Sequence, residues 1–305
     1  MNQLENVNLG TVITAMVTPF TNNLELDVEG AIELAKWLVN HGSDGLVLFG
    51  TTGEGPVLND DEKEQLLKAV KEAVSVPIIA NTGSNDTEHS IYLTELALDL
   101  GADGILAVTP YYNRPPQRGI ENHFVKIAKS AGNKPVILYD IPVRTGRKIS
   151  LEVLENLLNG VENIVGVKDA AQDIVGTSKL LSVSPDALIY SGDDAVTFAL
   201  VCHGAVGVIG VATHWIAAEM KEMIELITSG RLADARNLHN LMLPSFMYES
   251  SELNPNPIPA KAVMRKLGLP SGQCRLPLGD GEEIDRLASI LLDDLRTKGG
   301  KIFGR

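Results

Sequence analysis

The chain has 305 residues, 44% apolar and 21% charged, which is ordinary for a soluble globular protein and leaves room for one large domain with an appendage. Its 26 basic against 39 acidic residues give a net charge of −13, which argues against a broad nucleic-acid footprint or attachment to an anionic membrane. Cys202 and Cys274 show neither disulfide nor metal-type spacing, the six histidines are scattered, no apolar run approaches the ~20 residues that cross a bilayer, and the start MNQLENVNLG lacks a basic and apolar leader. The expectation is a cytoplasmic protein with no metal, no nucleic acid and no membrane segment.

From residue 11 onward, short apolar runs alternate with longer stretches of helical period, the pattern of β-α units around a parallel sheet. The strands are expected at Thr11–Pro19, Gly45–Gly50, Pro77–Thr82, Gly104–Thr109, Val136–Ile141, Ile164–Asp169, Ala187–Gly192 and Ala205–Gly210. Eight parallel strands are what closes a barrel. Helices fill the intervals. Asp27–His41 has acidic residues in its first turn, Asn59 can cap Asp60–Val74, and Ser150 starts Leu151–Leu158 with Gly160 placed to end it. Trp215–Thr228 reads as the closing helix. Helical stretches near Leu232–Tyr248, Pro259–Leu267 and Glu282–Leu295 follow, broken by the NPNPIP turn at Asn254–Pro259, and the tail KGGKIFGR is expected to be loose. The predicted fold is α/β, a (β/α)8 TIM barrel over residues 1–229 with a C-terminal helical annex over 230–305. An open doubly wound sheet with a nucleotide site is the competing architecture, but no G-x-G-x-x-G opens a helix, and Gly50-Thr51-Thr52-Gly53-Glu54-Gly55 lacks the lysine of a P-loop.

In a parallel barrel the chemistry collects at the C-terminal ends of the strands. Strand two runs into Thr51 and Thr52 on a glycine-rich loop whose hydroxyls and backbone N–H groups can hold a carboxylate. Strand four runs into Tyr111 and Tyr112, an aromatic pair of the sort that serves subunit interfaces. Strand five contains Tyr139, on the face of Ile137 and Ile141, and leads to Arg144, placed to clamp an acid group. Strand six reads Ile164-Val165-Gly166-Val167-Lys168-Asp169-Ala170. Strict alternation puts Ile164, Gly166 and Lys168 on one face, leaving an empty position beside the lysine. Burial lowers a lysine pKa and makes the amine nucleophilic toward a ketone; the plain alternative is a strand-end lysine reaching water or paired with Asp169. Strands seven and eight end in Ser191-Gly192-Asp193-Asp194 and Gly207-Val208-Ile209-Gly210, where small residues admit a ligand close to the backbone.

Five of these segments, GTTGE at Gly50–Glu54, VTPYYNRP at Val108–Pro115, LYDIPVRTG at Leu138–Gly146, GVKDA at Gly166–Ala170 and SGDD at Ser191–Asp194, make the chain similar to the Schiff-base aldolases related to N-acetylneuraminate lyase, nearest the dihydrodipicolinate synthase branch. The resemblance implies condensation of pyruvate with L-aspartate 4-semialdehyde, with no cofactor beyond a covalent imine on Lys168. It implies that Tyr139 relays protons with Thr51 and with Tyr112 of a neighbouring subunit, that Thr51 and Thr52 hold the pyruvate carboxylate, that Arg144 binds the aldehyde substrate, and that backbone near Gly192 and Ile209 lines the pocket. A homo-oligomer, at least a dimer and normally a tetramer, is implied as well. Two alternatives stand beside it: a lyase for sialic or keto-deoxy sugar acids, and a non-catalytic ligand-binding barrel. Lysine-inhibited relatives carry a serine after GTTGE, histidines in the next helix and a glutamate in the one after it. The corresponding positions here are Gly55, Asp60, Lys63 and His89, with Asn85 and Tyr111 kept, so weak or absent inhibition by lysine is expected. Strand eight also differs, with Gly210 where relatives often have serine.

Overall fold

The computed structural model describes residues 7–304; residues 1–6, on which the absence of a leader partly rests, and Arg305 lie outside the described residues. Eight parallel strands, β1 (Val12–Ala15), β2 (Gly45–Leu48), β3 (Ile78–Asn81), β4 (Gly104–Val108), β5 (Val136–Asp140), β6 (Ile164–Asp169), β7 (Leu188–Ser191) and β8 (Gly207–Gly210), pair in sequence order, and β8 pairs back onto β1 to close the barrel. The connecting helices are α1 (Val28–Asn40), α2 (Asp60–Ala73), α3 (Thr87–Asp99), α4 (Gln117–Ser130), α5 (Pro142–Thr145), α6 (Leu151–Gly160), α7 (Ile174–Val183), α8 (Thr197–Cys202) and α9 (Thr213–Thr228). The annex is α10 (Leu232–Tyr248), α11 (Ile258–Lys266) and α12 (Ile284–Thr297). The (β/α)8 expectation therefore holds, with each predicted strand found one to five residues shorter or at full length. Among the described residues no helix is long and apolar enough to cross a membrane.

Because both faces of a parallel barrel are covered, the strands are apolar on both sides. Ile13, Val47, Ile79, Leu106, Ile137, Val165, Tyr190 and Ile209, one from each strand, fill the interior. Val12, Leu46, Ile78, Ile105, Val136, Ile164, Ile189 and Val208 pack outward against the helices. The helix starts follow the sequence: Asp27 accepts from Gly30 N–H, Asn59 and Glu62 form a reciprocal capping box, and Ser150 accepts from Val153 N–H.

Four expectations are corrected. In β6 the alternation is broken by a bulge, since Val136 pairs with Ile164 but Ile137 pairs with Gly166, leaving Val165 as the extra residue. Ile164 consequently packs outward with Val167, while Val165 points into the barrel, so Ile164 does not share the face of Lys168. α6 runs two residues beyond its expected end at Leu158 and takes in Gly160, stopping there because Val161 turns extended. The segment that leads from β5 to Arg144, for which no helix is expected, is the short helix α5, with Pro142 at its first position. The tail is tied down. Lys301 N–H donates to Glu219 Oε1 at 2.7 Å, its ammonium pairs with Glu222 at 2.7 Å, and Arg296 lies 4.4 Å over the Phe303 ring.

Candidate active site

The site forms where β2, β5, β6 and β7 end, over a cavity of about 470 Å³. The strand register sets its centre, because Tyr139 of β5 lies directly beside Lys168 of β6. Both side chains are buried, and the Lys168 ammonium sits 4.4 Å from the centroid of the Tyr139 ring. Desolvation, with help from the Arg144 cation, brings the Lys168 pKa down to about 8 against the opposing charges of Asp194 and Glu249. Asp169 is not its partner. The Asp169 carboxylate is taken up by the Thr177 hydroxyl and by Ala171 N–H at 2.9 Å, which removes the structural alternative of a Lys168–Asp169 pair.

Desolvation holds the Tyr139 phenol at about 12 despite the nearby Arg144 cation and a hydrogen bond with Thr51, so it is a neutral proton carrier across the physiological range. Thr51 lines the cavity, and Thr52, buried beneath it, accepts a hydrogen bond at 2.9 Å from the Asn256 side-chain amide of the annex. The same Asn256 receives Arg144 Nη2 on its carbonyl at 3.4 Å. One annex residue thus touches both the predicted carboxylate-holding loop and the predicted clamp.

Glycine placement differs from the sequence reading. A Cβ on Gly166 would meet the Leu188 carbonyl oxygen at 2.0 Å, so that glycine lets β6 and β7 approach and does not make room beside the amine. Gly192 does that: a Cβ there would stand 3.0 Å from Lys168 Cγ and 2.9 Å from Ala170 Cβ. Ile209 is buried in the barrel interior, and the residue that lines the cavity from this side is Val211, just past β8.

A second cavity of about 660 Å³ adjoins the first, sharing Gly50, Thr51, Tyr139, Ile141, Arg144 and Asn256. Gly55, Asp60, Lys63, His89, Tyr111 and Tyr112 line its outer part. Tyr112 stands apart from the Lys168 cavity, 90% exposed and with a left-handed φ of 72°, a costly conformation for a bulky residue. Sequence reasoning missed three contributors. Asp194 stands in the sequence only as part of a motif, Asn256 only as part of a turn, and Glu249, at the end of α10, carries no spacing signal that links it to a lysine 81 residues earlier (249 − 168). Nor does any spacing link Glu54 to Lys261 of α11, with which it forms an ion pair of 2.5 Å, both side chains fully buried.

Comparison with known proteins agrees with this geometry. The family model described as "Dihydrodipicolinate synthetase family" matches residues 8–291. The 4-hydroxy-tetrahydrodipicolinate synthase of Desulforamulus reducens is 44% identical over 293 residues, covering 94% of this chain and 98% of that protein. That of Acidothermus cellulolyticus is 47% identical, covering 91% and 90%. Among solved structures, the enzyme of Cyanidioschyzon merolae with lysine bound superposes with a TM-score of 0.90 at 40% identity, covering 95% of this chain and 98% of that one. A dihydrodipicolinate synthase of Bacillus anthracis gives 0.89 at 38%, covering 94% and 98%. With a family model over most of its length and relatives above 40% identity end to end, the chain belongs to the dihydrodipicolinate synthetase family.

Proposed function

We propose that the protein is a lyase that condenses pyruvate with L-aspartate 4-semialdehyde to 4-hydroxy-tetrahydrodipicolinate, in lysine and diaminopimelate biosynthesis, through an imine on Lys168. The observation that carries the reading is the buried Lys168 amine beside Tyr139, which is itself bonded to Thr51, at the mouth of a closed barrel. Neutral Lys168 adds to the pyruvate ketone, and the carbinolamine takes up a proton and loses water to give the iminium. Loss of a methyl proton gives the enamine, whose carbon attacks the aldehyde. Tyr139 carries protons to and from the reacting atoms. The substrate's amino group then closes the ring on the imine carbon and frees Lys168, so that one water is released overall.

Thr51 and Thr52 hold the pyruvate carboxylate, and Arg144 takes the carboxylate of the aldehyde substrate from the rim. Gly192 leaves space along the Lys168 stem; Ile209 contributes only the floor beneath. Asn256, Lys261 and Arg275 of the annex hold Thr52 and Glu54 of the loop after β2, so residues 1–229 and 230–305 act as one functional unit. The covalent imine takes the place of a cofactor. Tyr112, exposed on a strained backbone, serves the site of a neighbouring subunit in a cytoplasmic homo-oligomer, a tetramer by family habit. A monomeric variant of a related synthase has been characterised, so sedimentation of this chain is the direct check.

The test is reduction with borohydride in the presence of pyruvate, followed by mass spectrometry. A pyruvate adduct on Lys168, absent in Lys168→Ala, is expected, together with turnover of aspartate semialdehyde in a coupled assay. An adduct with turnover of a sugar aldehyde instead would favour the sugar-acid lyase reading. No adduct at all would leave a binding protein.

A further inference from the structure

Three acidic side chains, Asp193, Asp194 and Glu249, line the Lys168 cavity and have no part in the chemistry above; Asp193 is taken up by the Gln172 side-chain amide and by Ala195 N–H at 3.0 Å, which leaves the other two. Asp194 lies in the turn after β7 and is 1% exposed, while Glu249 ends α10 of the annex. Their carboxyl groups meet over one backbone amide. Ala212 N–H points at Asp194 Oδ2 and at Glu249 Oε2, each at 3.2 Å, and Val211 N–H donates to Asp194 Oδ2 at 2.7 Å. Two ionised carboxylates that converge on one N–H in a desolvated pocket repel, and a proton held between them removes the repulsion. Among the described residues Asp194 Oδ1 is buried without a hydrogen-bond partner, which is where a carboxylic O–H belongs. Gly210 makes the packing possible, because a Cβ there would lie 2.2 Å from Asp194 Oδ1.

We propose that Asp194 and Glu249 hold one proton between them and so present a single negative charge, which acts as counter-ion to the iminium on Lys168. The inference rests on Lys168 being the amine that condenses with pyruvate. When neutral amine, ketone and one proton become iminium and water, a positive charge appears in a desolvated cavity that already faces the Arg144 guanidinium. Without a charge on the pair, the iminium would face Arg144 with only the less buried Asp193 carboxylate to offset it. Two full charges would hold Lys168 as ammonium, which cannot attack. A shared proton sets the intermediate value. The electrostatics agree: burial first, then the neighbouring carboxylate, pushes Glu249 well above the usual range, and burial pushes Asp194 up as well.

The experiment measures borohydride trapping of pyruvate in wild type, Asp194→Asn, Glu249→Gln and the double variant, across pH. Each single amide keeps one carboxylate and one donor and slows trapping by about two- to threefold; the double variant has no charge and loses about tenfold beyond the product of the singles, as expected for groups in contact. The pH profile separates charge from packing. Apart from the pair, the groups that face the amine are the Tyr139 phenol from β5, the Arg144 guanidinium from α5 and the Asp193 carboxylate after β7. Losing the pair's charge moves the amine limb of the double variant to lower pH, whereas a loosened cavity that admits water would move it up toward ordinary lysine. Infrared difference spectra of wild type minus Glu249→Gln at neutral pH give a second readout that needs no double variant, a protonated-carboxyl stretch present only in wild type. Wild type that forms no adduct would refute the function itself. Wild type that traps pyruvate, combined with multiplicative single variants, an upward pH shift or no carboxyl band, would refute the shared proton and leave the function standing.

Discussion

Replacing Lys261 by methionine should show how strongly the annex holds the substrate loop. The Lys261 ammonium lies 2.5 Å from Glu54 Oε1, 4.1 Å from the Phe20 ring and 3.0 Å from the Gln273 carbonyl, with both charged side chains at 0% exposure. Attraction at that distance in an effective dielectric of about 20 is about 7 kcal/mol, which roughly offsets the several kcal/mol that each ion loses on leaving water. The intact pair is therefore worth little net. Removing one member is different, because the Glu54 carboxylate stays buried without its counter-ion, held by neutral donors such as Arg275 N–H at 2.8 Å. That costs about 3–5 kcal/mol, while methionine keeps the packing of the stem. At about 2 °C per kcal/mol for a chain of this length, the unfolding midpoint should fall by about 6–10 °C in calorimetry. Adding Glu54→Gln to Lys261→Met should recover part of the loss by removing the unpaired charge. Because Glu54 follows Thr51 and Thr52 in the same loop, KM for pyruvate should rise in the single variant. A midpoint within about 2 °C of wild type with an unchanged KM would refute this account of the loop.

Other outcomes follow from the site. Lys168 titrates near 8, so about one amine in ten is neutral at pH 7 and most are at pH 9; the initial rate of imine formation should rise about tenfold over that interval. A rate flat from pH 7 to 9 would mean that the amine is not the titrating group. Tyr112→Phe should lower kcat by about a hundredfold, the low end for a lost proton relay, and leave the unfolding midpoint unchanged, since the side chain is 90% exposed in the single chain. Unchanged kinetics would remove Tyr112 from the relay. Lysine should inhibit weakly: the outer cavity carries the Lys63 ammonium, paired with Asp60 at 3.3 Å, where an incoming ammonium would meet a like charge. An inhibition curve that falls steeply at sub-millimolar lysine would overturn this.

The order of strands and helices, the caps at Asp27, Asn59 and Ser150, and the position of Lys168 and Tyr139 near the ends of their strands are all decided by the sequence, because each follows from local periodicity and local hydrogen bonding. The five motifs added the family and the substrates. What the sequence could not decide depends on which strands and loops become neighbours. The bulge at Val165 arises from the pairing of β6 with β5, so strict alternation misplaced Ile164. The space beside Lys168 comes from Gly192 on β7's loop instead of Gly166 on its own strand, because a barrel stacks residues across strands. Lys168 has an obvious chain neighbour in Asp169, yet the charges that tune it are Asp194, Arg144 and Glu249, and the last comes from the annex. A pKa is set by distance through space and by exclusion of water. Neither quantity exists until the barrel has closed and α10 has been laid over its mouth.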